Sequence, residues 1–491
     1  MISFEPPYPP GLPIGDSWVH LPTTAPVVFP YDGQVVAAVP LADAPLAERA
    51  IDEAVAVRNE VAGLPSHVRR AALQSVYESV RSERAAFEEL LVLETGKPLI
   101  DCRVEVDRTL LTLQTSAEEV ARLHGETVPL DLLPSGDGLI GFWVRKPIGV
   151  VVGIAGFNYP LLLATHKVAP ALAAGCPVIV KPAPQTPLAT LWLVHLFREA
   201  LADAGGPRAA VQLVTGGVDV GSTLTKSRRI GAVSFTGSAA VGHQIARDAA
   251  PTKVLLELGS NSALVVAADA DLDAAASAVI RGGYYASGQA CISVQRLIVV
   301  EEVREAFLAK LLPLLEQVAV GDPRDERTRV SALIDARATE RVREVVARAV
   351  AAGATVADDP AAELVADGIV RPTVLLDTPA DQPAWDEEIF APIVQLRSAP
   401  DITKAFEMVN DSRYGLQASV FTSSLETAFA AIDQLEVGGV VVNEVPGFRS
   451  DVMPYGGVKD SGAGREGPRF AIEELTVTRM AVIRPNPGRS R

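Results

Sequence analysis

The sequence predicts an α/β fold with two doubly wound parallel-sheet domains and a small separate β element. Three observations carry that prediction. From Pro147 onward, short runs rich in Val and Ile alternate with helical stretches. A second alternating stretch begins near Ala263. Two extended segments, 139–144 and 475–483, flank these stretches and have no helices of their own. Parallel strands joined by crossover helices are covered on both faces, so they read as continuous apolar runs.

The elements follow in order. Residues 147–154 read as a buried strand, 159–174 as a helix closed by Gly175, and 177–181 as the next strand. A helix is expected over 186–204, then strands at 211–214, 232–235 and 254–256 with helical segments between them. The second stretch holds a helix over 272–286, a strand over 294–300, and helices over 303–318 and 336–352. A chain of 491 residues exceeds one small core and fits two or three packed domains. No internal repeat or low-complexity tract is visible. The Pro-rich start (Pro6, Pro7, Pro9, Pro10) and the tail after Pro485 are the places where disorder is expected.

Charge narrows the function classes. Lys and Arg number 44 against 60 Asp and Glu, a net −16. An acidic chain without a basic run argues against nucleic acid and anionic membranes as partners, although a local basic pocket can still hold a small anion. No apolar run reaches the length of a membrane span, and no signal peptide is visible. The three cysteines, Cys102, Cys176 and Cys291, are too few and too scattered for a disulfide framework. They suit free thiols in a reducing cytoplasm. The six His show no paired metal spacing, so no metal site is expected. Neither a phosphate loop ending in Gly-Lys-Ser/Thr nor a Gly-x-Gly-x-x-Gly run is present.

Short motifs recur in a fixed order instead. They are Gly156-Phe157-Asn158-Tyr159-Pro160, Val180-Lys181-Pro182-Ala183, Phe235-Thr236-Gly237-Ser238 and Leu256-Glu257-Leu258-Gly259. Gly288-Gln289-Ala290-Cys291, Glu387-Glu388-Ile389-Phe390-Ala391-Pro392 and Pro454-Tyr455-Gly456-Gly457-Val458-Lys459 follow. Together, and over nearly the whole chain, they resemble the aldehyde dehydrogenase superfamily. The segment Phe448-Arg449-Ser450-Asp451-Val452-Met453-Pro454-Tyr455-Gly456-Gly457 is most similar to the lactaldehyde, phosphonoacetaldehyde and non-phosphorylating glyceraldehyde-phosphate dehydrogenase subgroup.

The resemblance implies a chemistry that these residue types suit. Cys291 is the expected nucleophile, since a thiolate attacks a carbonyl readily and leaves as a thioester. The Asn158 amide and the Cys291 backbone N–H are expected to hold the oxyanion. Hydride then passes to a nicotinamide, and Glu257 is the expected general base for water. Its setting among Val254, Leu255, Leu256 and Leu258 makes an idle charge costly. By contrast, Cys102 and Cys176 read as small buried hydrophobes.

NAD or NADP is the implied cofactor. Its expected contacts are Ile154, Phe157, Lys181, Pro184, Gly237, Ser238, Glu388 and Phe390. Gly237 and Ser238 would approach the pyrophosphate through backbone N–H groups at a helix N-terminus. Lys181 would bond the adenosine ribose, and Glu388 the nicotinamide ribose, with Phe390 packed beside it. Members that prefer NAD often carry Glu where this chain has Pro184. Proline cannot repel a 2′-phosphate, so NADP stays open.

Aligned on the motifs, Arg108, Tyr159, His166 and Arg449 fall where the family lines its substrate tunnel. Guanidinium pairs bidentately with carboxylate, phosphate or phosphonate, so a small anionic aldehyde is expected. Neutral short-chain aldehydes or semialdehydes are the alternative. A CoA-acylating variant is disfavoured by Glu257, and a silent binding protein by the intact Asn158, Glu257 and Cys291 set. The implied domains are a cofactor domain (1–126 with 147–259), a catalytic domain (260–461) and an oligomerisation element (127–146 with 462–491). A homodimer or homotetramer is expected, because an isolated sheet edge needs a partner.

Overall fold

The computed structural model describes residues 4–357 and 362–485. The tail after Pro485 lies outside the described residues. Three sheets organise the chain. The first has six strands in the order Gly462–Ala463, Lys253–Glu257, Ile230–Thr236, Val150–Ile154, Val178–Lys181 and Val211–Leu213. All its pairings are parallel except that of Gly462–Ala463. Val150, Val151, Val152, Val178, Ile179 and Val180 are fully buried, as strands covered on both faces require.

Seven strands form the second sheet: Thr355–Val356, Thr373–Leu376, Ile393–Ala399, Arg296–Val300, Ala263–Val266, Gln417–Phe421 and Gly439–Val442. Here Thr355–Val356 alone runs antiparallel. The third sheet joins Thr476–Ile483, Ile140–Pro147 and Glu126–Val128, all antiparallel. Among the described residues, no helix is long and apolar enough to cross a membrane.

Strand register builds the site. In the first sheet Ile154 lies opposite Lys181 and Phe235, and Thr236 opposite Glu257. The sequence candidates on these strands therefore share one edge, the carboxyl end. Ligands of open α/β sheets bind there. Helix Pro160–Ala174 follows directly and is buried along its whole length. Proline at its first position suits a helix start. Gly175 ends it in the left-handed region (φ 86°), as predicted.

Several expectations need correcting. The strand predicted over 147–154 is two: Pro147 closes Ile140–Pro147 in the third sheet, and Val150–Ile154 belongs to the first. Gly149, at φ 125°, makes the turn between them. The helix predicted over 186–204 is Leu188–Asp203, begun after Pro187. That over 272–286 stops at Tyr284, because Ala286 and Ser287 are left-handed. Of the segment 462–491, Gly462–Ala463 pairs with the first sheet and helix Pro468–Glu474 packs on helix Pro160–Ala174. Thr476–Ile483 is the part that joins the small antiparallel sheet.

The first 125 residues carry helices that the sequence reading left unassigned. Ala44–Ala56, Ser66–Ser82, Arg84–Thr95 and Leu99–Glu119 are the longest. Leu99–Glu119 packs on helix Pro160–Ala174 and brings three charged side chains to the site.

Candidate active site

A cavity of about 610 Å³ opens at the carboxyl edge of the first sheet, against the unit built on the second. It gathers Cys291, Glu257, Asn158, Phe157, Gly237, Ser238, Glu388, Phe390, Arg108, Tyr159, His166 and Arg449. Three sequence candidates lie outside its lining. Ile154 and Lys181 sit at neighbouring strand ends, Lys181 beside Gly221. Pro184 lines a separate small cavity with Pro182, Thr215 and Gly216.

Cys291 is half-buried, and its Sγ lies 3.3 Å from the Tyr455 hydroxyl. Burial pushes the thiol up to about 11; the Tyr455 hydrogen bond pulls the other way. Asn158 Nδ2 donates to the Gln289 carbonyl at 2.8 Å. An amide has two N–H donors, so one remains for a substrate oxygen. The Asn158 carbonyl accepts a bond from Lys97 Nζ at 2.8 Å. Lys97 is in turn paired with Glu105, both fully sequestered. Glu105 also accepts the N–H groups of Leu161 and Leu162 at the start of helix Pro160–Ala174. Two side chains, Lys97 and Glu105, thus fix the backbone that presents Asn158 through three bonds.

Glu257 ends its strand, buried. Burial and the negative charge of Glu466 drive its carboxyl well above the usual range, against Arg449, Lys167 and Arg465. Its Oε2 has no hydrogen-bond partner among the described residues. Glu466 is held the other way. Burial would raise it, but Lys167, His166 and Arg449 keep it ionised, well below the usual carboxylate range.

The three basic candidates do not stand unpaired in the cavity. Arg108 grips Asp451 with two bonds, of 2.9 and 3.0 Å. His166 Nε2 lies 2.9 Å from Asp451 Oδ1, and its Nδ1 3.2 Å from Glu466. Arg449 reaches Asp451 at 3.2 Å and Glu466 at 3.0 Å, and its guanidinium covers the Tyr455 ring at 3.7 Å. Asp451 is buried, yet bonding to His166 and the charges of Arg108 and Arg449 hold its carboxyl well below the usual range. Sequence reading expected these bases to face a substrate anion directly. Two protein carboxylates already engage them.

Of the cofactor candidates, Phe157, Gly237, Ser238, Glu388 and Phe390 line the same cavity. The Gly237 N–H donates to the Glu257 carbonyl at 3.0 Å, so it is not available to a pyrophosphate. The Ser238 N–H, which opens helix Ala239–Ala249, has no acceptor among the described residues. Thr236 Oγ1 is buried without a hydrogen-bond partner among the described residues. A Cβ on Gly237 would meet the tip of the Phe235 ring at 2.5 Å, so a bulkier residue there would have to displace that ring. Glu388 accepts the Ser260 N–H at 3.0 Å, and burial pushes its carboxyl up to about 7. The Phe157 and Phe390 rings meet edge to face, 5.7 Å apart. A helix N-terminus, an orphan hydroxyl, a carboxylate and two aromatic rings fit a dinucleotide.

Sequence reading missed Lys97, Glu105, Lys167, Asp451, Tyr455 and Glu466 as site residues. Asp451 and Tyr455 lay inside quoted motifs. Glu105 and Arg108 share a helix face by spacing, a signal that pointed to Glu105 once Arg108 was chosen.

Residues 18–481 match the family model described as "Aldehyde dehydrogenase family". The chain belongs to the aldehyde dehydrogenase family, and it oxidises aldehydes with a nicotinamide dinucleotide. The 3-sulfolactaldehyde dehydrogenase of Priestia aryabhattai is 42% identical over 415 residues, 84% of this chain and 85% of that protein. Aldehyde dehydrogenase 21 from Physcomitrella patens, solved with the reaction product succinate, is similar at TM-score 0.92 and 35% identity, covering 98% of both chains. A glyceraldehyde-3-phosphate dehydrogenase from Methanocaldococcus jannaschii, solved with NADP, is similar at TM-score 0.90 and 31% identity, covering 94% of this chain and all of that one.

Proposed function

We propose that the substrate is a small aldehyde bearing one anionic group, and that Cys291, Asn158 and Glu257 carry the reaction. One observation carries the substrate reading. Around Asp451 and Glu466 stand three basic side chains, Arg108, Lys167 and Arg449, against those two carboxylates. One positive charge is left over beside the nucleophile, and a substrate carboxylate, phosphate, phosphonate or sulfonate would neutralise it. The relatives named for sulfolactaldehyde and glyceraldehyde-3-phosphate, and the one solved with succinate, point the same way.

Once the Cys291 thiol has given up its proton to water in the cavity, Sγ bonds to the aldehyde carbon, whose oxygen takes the carbonyl electron pair and becomes an oxyanion. The second Asn158 N–H and the Cys291 backbone N–H, which has no acceptor among the described residues, stabilise that charge. NAD or NADP, when bound, supplies the hydride acceptor that turns the adduct into a thioester. Glu257 then takes a proton from water, which attacks the thioester and releases acid and thiol. A carboxyl held above its usual range is a stronger base once ionised, as this step needs. Ser238, Glu388, Phe157, Phe390 and Lys181 would hold the dinucleotide, with Ile154 and Pro184 beside them. Neutral Pro184 and cationic Lys181 admit NAD and NADP alike.

Reduced-cofactor production tests the substrate class. Phosphono-, phospho-, sulfo- and carboxy-aldehydes are compared with propanal and benzaldehyde, using NAD and NADP separately. The expected result is a preference of about 100-fold in kcat/KM for an anionic member, about 2.7 kcal/mol of transition-state discrimination. Equal or better turnover of the neutral aldehydes removes the anionic reading.

We further assign the cofactor domain to 1–126 and 147–259, the catalytic domain to 260–461, and a self-association surface to the third sheet. Ile140, Val477, Met480, Val482 and Ile483 leave its strands 43–56% exposed. An exposed apolar strand edge favours pairing with another copy. Light scattering at micromolar concentration is expected to give a dimer or tetramer, and a monomer would overturn this. A cytoplasmic location is supported by the buried, unpaired Cys102 and Cys176.

A further inference from the structure

The chain reaches Cys291 through a turn that resists forming. Ala286, Ser287 and Gly288 follow one another with φ of 49°, 55° and 72°. Glycine adopts the left-handed region at no steric penalty; residues with a Cβ do not. Two such residues in succession persist when their surroundings over-determine them. Ser287 is held by a reciprocal pair of bonds: its Oγ donates to the Ser331 carbonyl at 3.1 Å and accepts the Ser331 N–H at 2.9 Å. At Gly288 a Cβ would fall 2.1 Å from the Ala391 carbonyl oxygen.

Ala286 is held by a side chain from far away in sequence. Its N–H donates to Asp101 Oδ2 at 2.9 Å. Asp101 lies in the first turn of helix Leu99–Glu119, buried, at the wall of the catalytic cavity. Glu105 and Arg108 follow it at four and seven residues, on the same helix face. Glu105 fixes the backbone around Asn158 through Lys97, and Arg108 holds Asp451. Three charged groups on one face thus each reach a different part of the site.

We propose that Asp101 is a positioning residue for the nucleophile: its carboxylate pins the left-handed turn that carries Cys291 to its place. This rests on Cys291 being the nucleophile. The Cys291 thiol bonds the Tyr455 hydroxyl, while the Asp101 carboxylate bonds the Ala286 N–H and acts through it. With the acceptor gone, the Ala286 N–H is buried without a partner, and the turn relaxes toward the ordinary helical or extended region.

The test compares Asp101→Ala, Asp101→Asn and Ala286→Gly, alone and combined. The readouts are kcat, KM for aldehyde, and iodoacetamide modification of Cys291 located by mass spectrometry. Asp101→Ala is expected to lower kcat by about 10- to 100-fold, the range for a displaced reacting group, with KM within about threefold of wild type. Its Cys291 modification rate is expected to change by about fivefold or more. Asp101→Asn keeps an acceptor oxygen and should recover most of both. Ala286→Gly removes the steric resistance, so Asp101→Ala/Ala286→Gly should regain at least about half the lost kcat on a logarithmic scale. Should Asp101→Ala not fold, the double variant is compared with Ala286→Gly alone, and a smaller loss of the same kind is expected. The proposal is overturned if the folded alanine variant matches wild type in kcat and modification rate. It is equally overturned if Ala286→Gly restores nothing. The modification rate reads the loop even where turnover does not depend on Cys291, so failure here is separable from failure of the nucleophile assignment.

Discussion

Cys291→Ser is expected to lower turnover by at least about 10⁴-fold while leaving dinucleotide binding intact. A serine hydroxyl is far less acidic than a thiol, and no basic group bonded to it would activate it: the partner at 3.3 Å is the Tyr455 hydroxyl. The cofactor candidates are other residues, so fluorescence quenching by the reduced cofactor should be unchanged. Loss of cofactor binding alongside turnover would mean that the substitution collapsed the cavity. The resting thiol has its own signature. Because burial raises it to about 11, thiolate is scarce at neutral pH and grows as pH rises. Iodoacetamide modification of wild-type Cys291 should therefore climb with pH, approaching about tenfold per unit below about pH 9. A rate flat across that range would show a thiolate already formed.

Glu257→Gln is expected to separate the two halves of the reaction. Steady-state kcat should fall about 10²- to 10⁴-fold, the usual worth of a positioned general base. The first turnover should still release about one equivalent of reduced cofactor per site, because thioester formation precedes the need for water. Mass spectrometry should then find the acyl group on Cys291. Glutamine is nearly isosteric and keeps the strand end filled, so the loss would report chemistry rather than packing. An unchanged steady state would remove Glu257 from the base role. Faster release on adding CoA to the wild type would point to thiol rather than water as the acyl acceptor.

The parallel-sheet cores were legible because buried Val and Ile runs have few other places to go. Val150–Ile154 and Val178–Lys181 are examples, and the register that aligns Lys181, Ile154, Thr236 and Glu257 follows from their shared role as strand ends. The break at Gly149 was less legible, since an apolar run says nothing about which of two sheets it joins. Helices Ser66–Ser82 and Leu99–Glu119 escaped because their apolar positions are diluted by surface charge. The site divided in the same way. Cys291, Asn158 and Glu257 stood out through their motifs. The engagement of Arg108, His166 and Arg449 by Asp451 and Glu466 did not, because it joins positions as far as 343 residues apart. Composition carries no record of such pairings.

The shared carboxylates also constrain how this pocket can change over generations. Asp451 touches Arg108, His166 and Arg449, while Glu466 touches His166, Lys167 and Arg449. Removing one member strands a buried charge, a loss of about 3–5 kcal/mol for such pairs. A lineage changing the charge of this set would therefore have to cross a valley of unstable single mutants, or exchange an acid and a base together.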